Sequence, residues 1–276
     1  MACHAGGMTP SNGPAPDAFV ARDATRARAQ RAAHELLLGL EARPGPLADA
    51  QDIALIRSLD VVFAQTMRAA RHTSGSVRAY ASLIEDGYAS GSNAATWAAR
   101  IGRAAGDLDD FASRVGALRL CENERVAEMG WGDVLARVAA RCGSLGSCTI
   151  EIVDRTPGAF RQRAELVGRV LFHTLRNAVE ATPRGGIVRV RADHIKLEGN
   201  AAVHLRVTDH GGGIDAALDL NSIWKPFVTA KADHAGLGLA YVAASAPVLG
   251  MVNGIHSDNA GTTIHTIIFE EGELSW

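Results

Sequence analysis

Apolar residues recur at helical spacing through the first half of the chain and at strand spacing through much of the second. Between about Ala48 and Tyr88, Ile56, Phe63, Ala70, Val77 and Ile84 return every seven residues, with Leu59 and Tyr80 on the adjoining position. The spacing predicts one long helix with an apolar stripe. The segment YASGSN interrupts it, and Ser92 or Asn93 is placed to cap a second helix. That helix carries Trp97, Ile101, Ala104, Leu108, Phe111, Val115 and Leu118 at steps alternating between 4 and 3, a coiled-coil seam. Two such helices joined by a short loop form an antiparallel hairpin, which cannot cover both seams by itself. Pairing two hairpins into a four-helix bundle would cover them, so a homodimer is expected. The alternative is an intrachain bundle whose third member is ATRARAQRAAHELLLGLEA, a helical stretch ending at the breaker Arg43-Pro44-Gly45-Pro46.

After Leu120 the pattern changes. A helix from Trp131 to Arg141 leads into the alternating strand SCTIEIVD, and a helix from Arg163 to Ala181 precedes the strands GIVRVRADHI and AAVHLRVTD. The end, MVNGIHSDNAGTTIHTIIFE, reads as two further strands around a turn. Strands interleaved with helices imply a sheet with helices on one face. The fold class expected is α+β: a helical hairpin followed by a two-layer α/β sandwich. Three regions follow: 1–47, disordered or weakly ordered with a short helix; 48–120, the hairpin; and 121–276, the α/β domain.

Composition narrows the class. With 276 residues and 47% apolar side chains, the chain can bury substantial cores. A formal charge of −2 gives no reason to expect nucleic acid or an anionic membrane surface as partner. The four cysteines, Cys3, Cys121, Cys142 and Cys148, have no CxxC spacing and read as reduced thiols. No apolar run approaches the roughly 20 residues that span a bilayer. The first residues lack both a basic and an apolar signal region, so a cytoplasmic protein is expected.

Four segments of the second half carry candidate chemistry. In HTLRNAVEAT, a helical Asn177 could offer a hard oxygen ligand to a Mg²⁺ held between phosphates. In VTDHGGGID, Asp209 can accept a hydrogen bond from the exocyclic amine of adenine, while Gly211 and Gly213 allow close backbone approach. In IWKPFVTAK, Pro226-Phe227 closes a loop and Lys231 supplies a cation. In HAGLGLAYV, Gly236 and Gly238 open a helix whose terminal amides suit phosphate.

In this order and spacing the segments resemble the N, G1, F and G2 boxes of bacterial histidine kinases, a branch of the GHKL ATPase superfamily. The wording is closest to the nitrogen-regulation type, and the likeness runs from about Leu166 to Phe269, including Gly261 to Thr263 before the last strand. The resemblance implies ATP and Mg²⁺ as cofactors. Asn177 would be the metal ligand, Asp209 the adenine contact, and Gly211 and Gly213 neighbours of base and ribose. Lys231, Gly236 and Gly238 would lie around the phosphates under a short lid. His173 stands where the family often has Asn or Glu positioning a water or metal, and His234 stands where glycine is common.

The hairpin resembles the family's dimerisation and phosphotransfer domain, through Val77-Arg78-Ala79-Tyr80-Ala81-Ser82-Leu83-Ile84. Counting back along that register, the phosphoacceptor position falls on Arg68, with Arg71 matching the family's following arginine. The family's helix-bending proline is replaced by Thr73. A guanidinium stays protonated and is no nucleophile. His72, one turn further along the same face, is open to three readings: a displaced phosphoacceptor, a partner contact, or an exposed helix residue. It lacks the acid that usually follows the phosphoacceptor, and His34, in HELLLGL, lies too far upstream. The resemblance implies a two-component kinase that passes the γ-phosphoryl of ATP to a histidine and then to a receiver-domain aspartate. The alternatives are a pseudokinase in which ATP only sets the hairpin's conformation, and a GHKL serine kinase. The hairpin argues against the last.

Overall fold

The computed structural model describes residues 16–46, 48–88, 91–116, 124–156, 158–231 and 234–271; for 16–23, 60–72 and 107–116 it describes the backbone alone. In chain order the elements are α1 (Pro16–Gly39), β1 (Arg43–Pro44), α2 (Ala50–Gly87), α3 (Asn93–Gly116), β2 (Ala127–Met129), α4 (Trp131–Gly143), β3 (Thr149–Arg155) and β4 (Phe160–Gln162). Then follow α5 (Ala164–Ala181), β5 (Ile187–Leu197), β6 (Asn200–Thr208), a 3₁₀ turn at Ser222–Trp224, α6 (Gly238–Leu249), β7 (Met251–Asp258) and β8 (Gly261–Phe269).

Six strands form one sheet in the order β1-β7-β8-β6-β5-β3. Only β3 and β5 pair in parallel; the other neighbours are antiparallel. Strand alternation divides the side chains between the two faces. From β6, Val203, Leu205 and Val207 enter the main core with Leu166, Val170 and Leu171 of α5, Val134 of α4 and Tyr241 of α6. This is the expected two-layer sandwich.

The opposite face is also covered in part. Ala202, Val252 and Ile267 project from it and pack with Ala33 and Leu37 of α1 and with Ala42. β1 adds to the β7 edge, and Gly45 N–H donates to the Asn253 carbonyl at 2.9 Å. The N-terminal helix therefore lies on the sheet rather than on the hairpin, so it is not the third member of an intrachain bundle. Its Arg26 also donates to the Pro247 carbonyl of α6 at 3.2 Å.

α2 is capped by Asp49, whose carboxylate accepts from Asp52 N–H at 2.8 Å. Its first turns belong to the main core: Ile56 is buried, with Ile53 and Leu59 packed beside it. The expected heptad stripe thus serves two purposes. Ile56 is taken by the α/β layer because the chain reaches α2 directly from the edge of the sheet.

Further along, α2 and α3 form the expected antiparallel hairpin. Its described contact is lined by small residues, Ser74 and Ala81 against Ala95, Ala98 and Ala105. Ser74 Oγ donates to the Ala105 carbonyl at 2.5 Å. The larger residues stay outside: Trp97 is 60% and Ile101 45% exposed, alongside Tyr80, Leu83 and Ile84. Small side chains let the helices approach closely, so the bulky seam points away from the intrachain contact. The seam positions Phe63, Ala70, Leu108, Phe111 and Val115 have no described side chains, and Leu118 lies outside the described residues.

Candidate functional site

A cavity of about 630 Å³ opens between α5, the segments following β6, the start of α6 and the 228–238 loop between them. Each wall follows from local sequence. On α5, His173 and Asn177 are four residues apart and therefore share a face, and both line the cavity. His173 is buried with its ring 4.9 Å from that of Tyr241. Gly238 lies across from this pair: a Cβ there would be 3.6 Å from His173 Nδ1 and 3.7 Å from Asn177 Nδ2. The backbone that opens α6 is thus brought against the proposed metal ligand.

Asp209 leaves the end of β6 and lines the cavity while 6% exposed. Its Oδ1 accepts from the N–H groups of Gly211 (2.9 Å) and Thr262 (3.2 Å). Both bonds fall on one oxygen, which leaves Oδ2 for a ligand. Burial raises its pKa above the usual aspartate value, although both N–H bonds and the charges of His210 and Lys231 act against this. A buried carboxylate with an oxygen to spare suits an amino group such as that of adenine.

Gly211, Gly213 and Gly236 are sterically required. A Cβ at Gly211 would meet the Ala181 carbonyl at 2.6 Å, and one at Gly213, where φ is +74°, would meet the Asp258 carbonyl at 2.1 Å. Gly213 lines the cavity, whereas Gly211 acts from behind the wall through its N–H. Gly236, with φ +65°, accepts at 3.0 Å from the N–H of Phe227, itself at φ +66°. A Cβ there would strike the backbone of Phe227 and Val228 at 2.6–2.7 Å, so this crossing holds the two ends of the loop together. The donor and acceptor set fits a Mg²⁺-nucleotide: a carboxylate for the base, backbone that side chains would block, an amide oxygen at Asn177 and a lid cation at Lys231.

The structure therefore brings together His173, Asn177, Asp209, Gly213, Lys231, Gly236 and Gly238, with Gly211 behind them. His72 lies on α2, but its side chain is outside the described residues. Sequence reasoning assigned no role to Glu180, which accepts from Lys231 Nζ and His234 Nε2, both at 2.9 Å, and from Arg176 Nε at 2.9 Å. Its only sequence signal was the i, i+4 pairing with Arg176 on α5. Burial pushes the Glu180 carboxyl up, but its bonds to Lys231 and His234 and the Arg176 charge outweigh this and hold it below the usual range. Among the described cysteines, Cys142 and Cys148 are free thiols, and burial pushes Cys142 up to about 12. No group of His, Cys, Asp and Glu among the described residues is arranged to hold a metal ion by itself.

Comparison with known proteins agrees with this geometry. Residues 162–272 match the family model described as "Histidine kinase-, DNA gyrase B-, and HSP90-like ATPase". Sensor histidine kinase ZraS of Escherichia coli K12 is 42% identical over 74 residues, 27% of this chain and 15% of ZraS. Sporulation kinase A of Bacillus subtilis is 42% identical over 71 residues, 26% of this chain and 11% of that protein. The match thus spans a small fraction of these relatives. Among solved structures, full-length ShkA in complex with AMPPNP superposes with a TM-score of 0.59 at 19% identity, over 76% of this chain and 46% of ShkA. The Acinetobacter baumannii histidine kinase AdeS superposes with a TM-score of 0.50 at 18% identity, over 73% of this chain and 97% of AdeS. These two likenesses are of fold. Cavity, matched family model and relatives agree in making residues 162–272 similar to the ATPase domain of bacterial histidine kinases.

Proposed function

We propose that the chain is a protein kinase of a two-component system, which binds Mg-ATP, phosphorylates a histidine of its own hairpin and passes the phosphoryl group to a response-regulator aspartate. The observation that carries this reading is the buried Asp209 carboxylate with Oδ2 left for a ligand, in a cavity where Gly213 and Gly236 admit no side chain. Asp209 would hold the adenine amine, Gly213 the ribose side, Asn177 the Mg²⁺, and Lys231 with Gly236 and Gly238 the phosphate end. His173, beside Asn177, would position a water or the metal. The metal would offset charge developing on the transferred phosphoryl. The work divides between a hairpin over 48–120 and an ATP-binding domain over 121–276. The apolar face left outside the hairpin by Tyr80, Leu83, Ile84, Trp97 and Ile101 favours a homodimer. Among the described residues no helix is long and apolar enough to cross a membrane.

The acceptor in this reading is His72, because Arg68 occupies the usual place. Incubation with γ-labelled ATP should give an acid-labile label that His72→Ala abolishes. The variant should still show the thermal shift of wild type with Mg-ADP. Acid-stable label, or undiminished label in His72→Ala, would remove His72 from the mechanism. No thermal shift in wild type at millimolar nucleotide would remove the ATP site.

A further inference from the structure

Among the described residues, His234 is held at one ring nitrogen and has no partner at the other. Its Nε2 lies 2.9 Å from Glu180 Oε2, the same oxygen that accepts from Lys231 Nζ. Its Nδ1 is buried and has no hydrogen-bond partner among the described residues, and the residue lines the cavity. A carboxylate only accepts, so the Nε2 position carries the proton of this bond. The other nitrogen is then a buried lone pair without a donor, or, when protonated, a buried donor without an acceptor. Either state leaves one unmet polar atom inside a cavity, at a cost that a ligand would relieve.

Charge decides which ligand. Around the cavity stand Arg176 and His173 on α5 with Glu180 beside them, Asp209 and Asp215 after β6, and Lys231 in the lid. Glu180 already faces Arg176 and Lys231, so those three groups carry one net positive charge. That excess beside His234 suits an anion there, while Asp209 and Asp215 keep the rest of the cavity acidic. We propose that His234 is a phosphate-binding residue of the lid: anchored to Glu180 through Nε2, it donates from Nδ1 to the terminal phosphate of a bound nucleoside triphosphate. This rests on the nucleotide reading above and extends it. In the bound state Nε2 keeps its hydrogen bond to Glu180, and Nδ1 meets a terminal phosphate oxygen. Glu180 is a positioning residue, since it acts only by fixing the ring.

The test is calorimetry with Mg-AMP-PNP and Mg-ADP. His234→Ala should weaken AMP-PNP about tenfold and ADP less than twofold. Glu180→Gln, which keeps the shape but not the charge, should lower AMP-PNP affinity in the same selective way while ADP still binds. Equal losses for the two nucleotides, or no loss, in His234→Ala would overturn the contact. Wild type that binds neither nucleotide would overturn the nucleotide reading as well, and ADP binding by wild type separates the two failures.

Discussion

Asp209 is a single residue whose burial runs against the interest of stability. Burial raises its pKa above the unfolded value, so the folded state holds the ionised carboxylate at a cost. For this group stability rises as pH falls through the folded value, the reverse of a salt-bridged aspartate. Asp209→Asn removes the charge but keeps an Oδ1 that can accept from Gly211 and Thr262. The expected outcome is an unchanged or higher melting temperature, with nucleotide affinity lower by about 1.5–3 kcal/mol through loss of a charge-assisted bond. Melting curves and an ATP titration of the same protein check both halves. The residue was legible in the sequence only because its turn of acid and glycines stands in order with three other segments, since many tight turns look similar. The Glu180 cluster was not, because its partners Lys231 and His234 lie more than fifty positions further on, and no local spacing shows that a lid folds back onto a helix. The histidine pair on the far face of the sheet was equally hidden. His204 Nε2 and His265 Nδ1 lie 3.0 Å apart across β6 and β8, and burial lowers both to about 4, with the Arg206 charge acting the same way. Both are therefore neutral when folded at pH 7, and their contribution is full above the unfolded value of about 6.5. It is lost as pH falls from there toward 4, because the unfolded chain binds the protons more readily. Urea midpoints should fall across that window, and the fall should be shallower in His204→Phe/His265→Leu. An equal slope in that variant would assign the acid sensitivity elsewhere.

Elements were legible where one period served one environment. The α5 pattern places Leu166, Val170, Leu171 and Leu175 in one core, and the strand alternation of β6 reads directly as two faces. The helices with mixed duties were read less well. The α2 stripe was taken as a single seam, yet Ile56 packs into the α/β core while Ile84 is 41% exposed. Period alone cannot say which partner a stripe will meet. The same holds for α1, whose region was expected to be disordered or weakly ordered with a short helix, although Ala33 and Leu37 are fully buried against the sheet. A Cβ at Gly254 would come within 3.0 Å of Leu37 Cδ1, so the glycine makes room for this contact. Leu37→Ala should cost about 2–4 kcal/mol by leaving a cavity between helix and sheet. The expected readout is a single unfolding transition of the whole α/β layer at lower denaturant. A loss confined to the helical signal, with the sheet unaffected, would show that α1 is an accessory rather than part of that layer.

For the molecule as a whole, the unresolved demand is the bulky face of the hairpin. Ser74 and Ala81 meet Ala95, Ala98 and Ala105 inside it, which leaves Trp97, Ile101, Tyr80 and Leu83 on the outside. Tyr80 and Leu83 are each 68% exposed, more than isolated surface apolars require, and they lie near one another along α2. Pairing two hairpins would bury this face and leave the small-residue contact intact, so dimer formation and hairpin formation draw on different residues. That separation makes the two distinguishable by mutation. Ile101→Asp would place a charge in the paired face, where it has no partner, while disturbing nothing inside the hairpin. Light scattering at tens of micromolar should give a dimer mass for wild type and a monomer mass for Ile101→Asp, with helical content unchanged. Ala98→Leu, by contrast, would overfill the intrachain contact and should lower the stability of the hairpin itself by about 1–3 kcal/mol. A monomeric wild type would sink the bundle. A dimer that survives Ile101→Asp would move the interface off this face, and with it the expectation that His72 is presented from a paired hairpin.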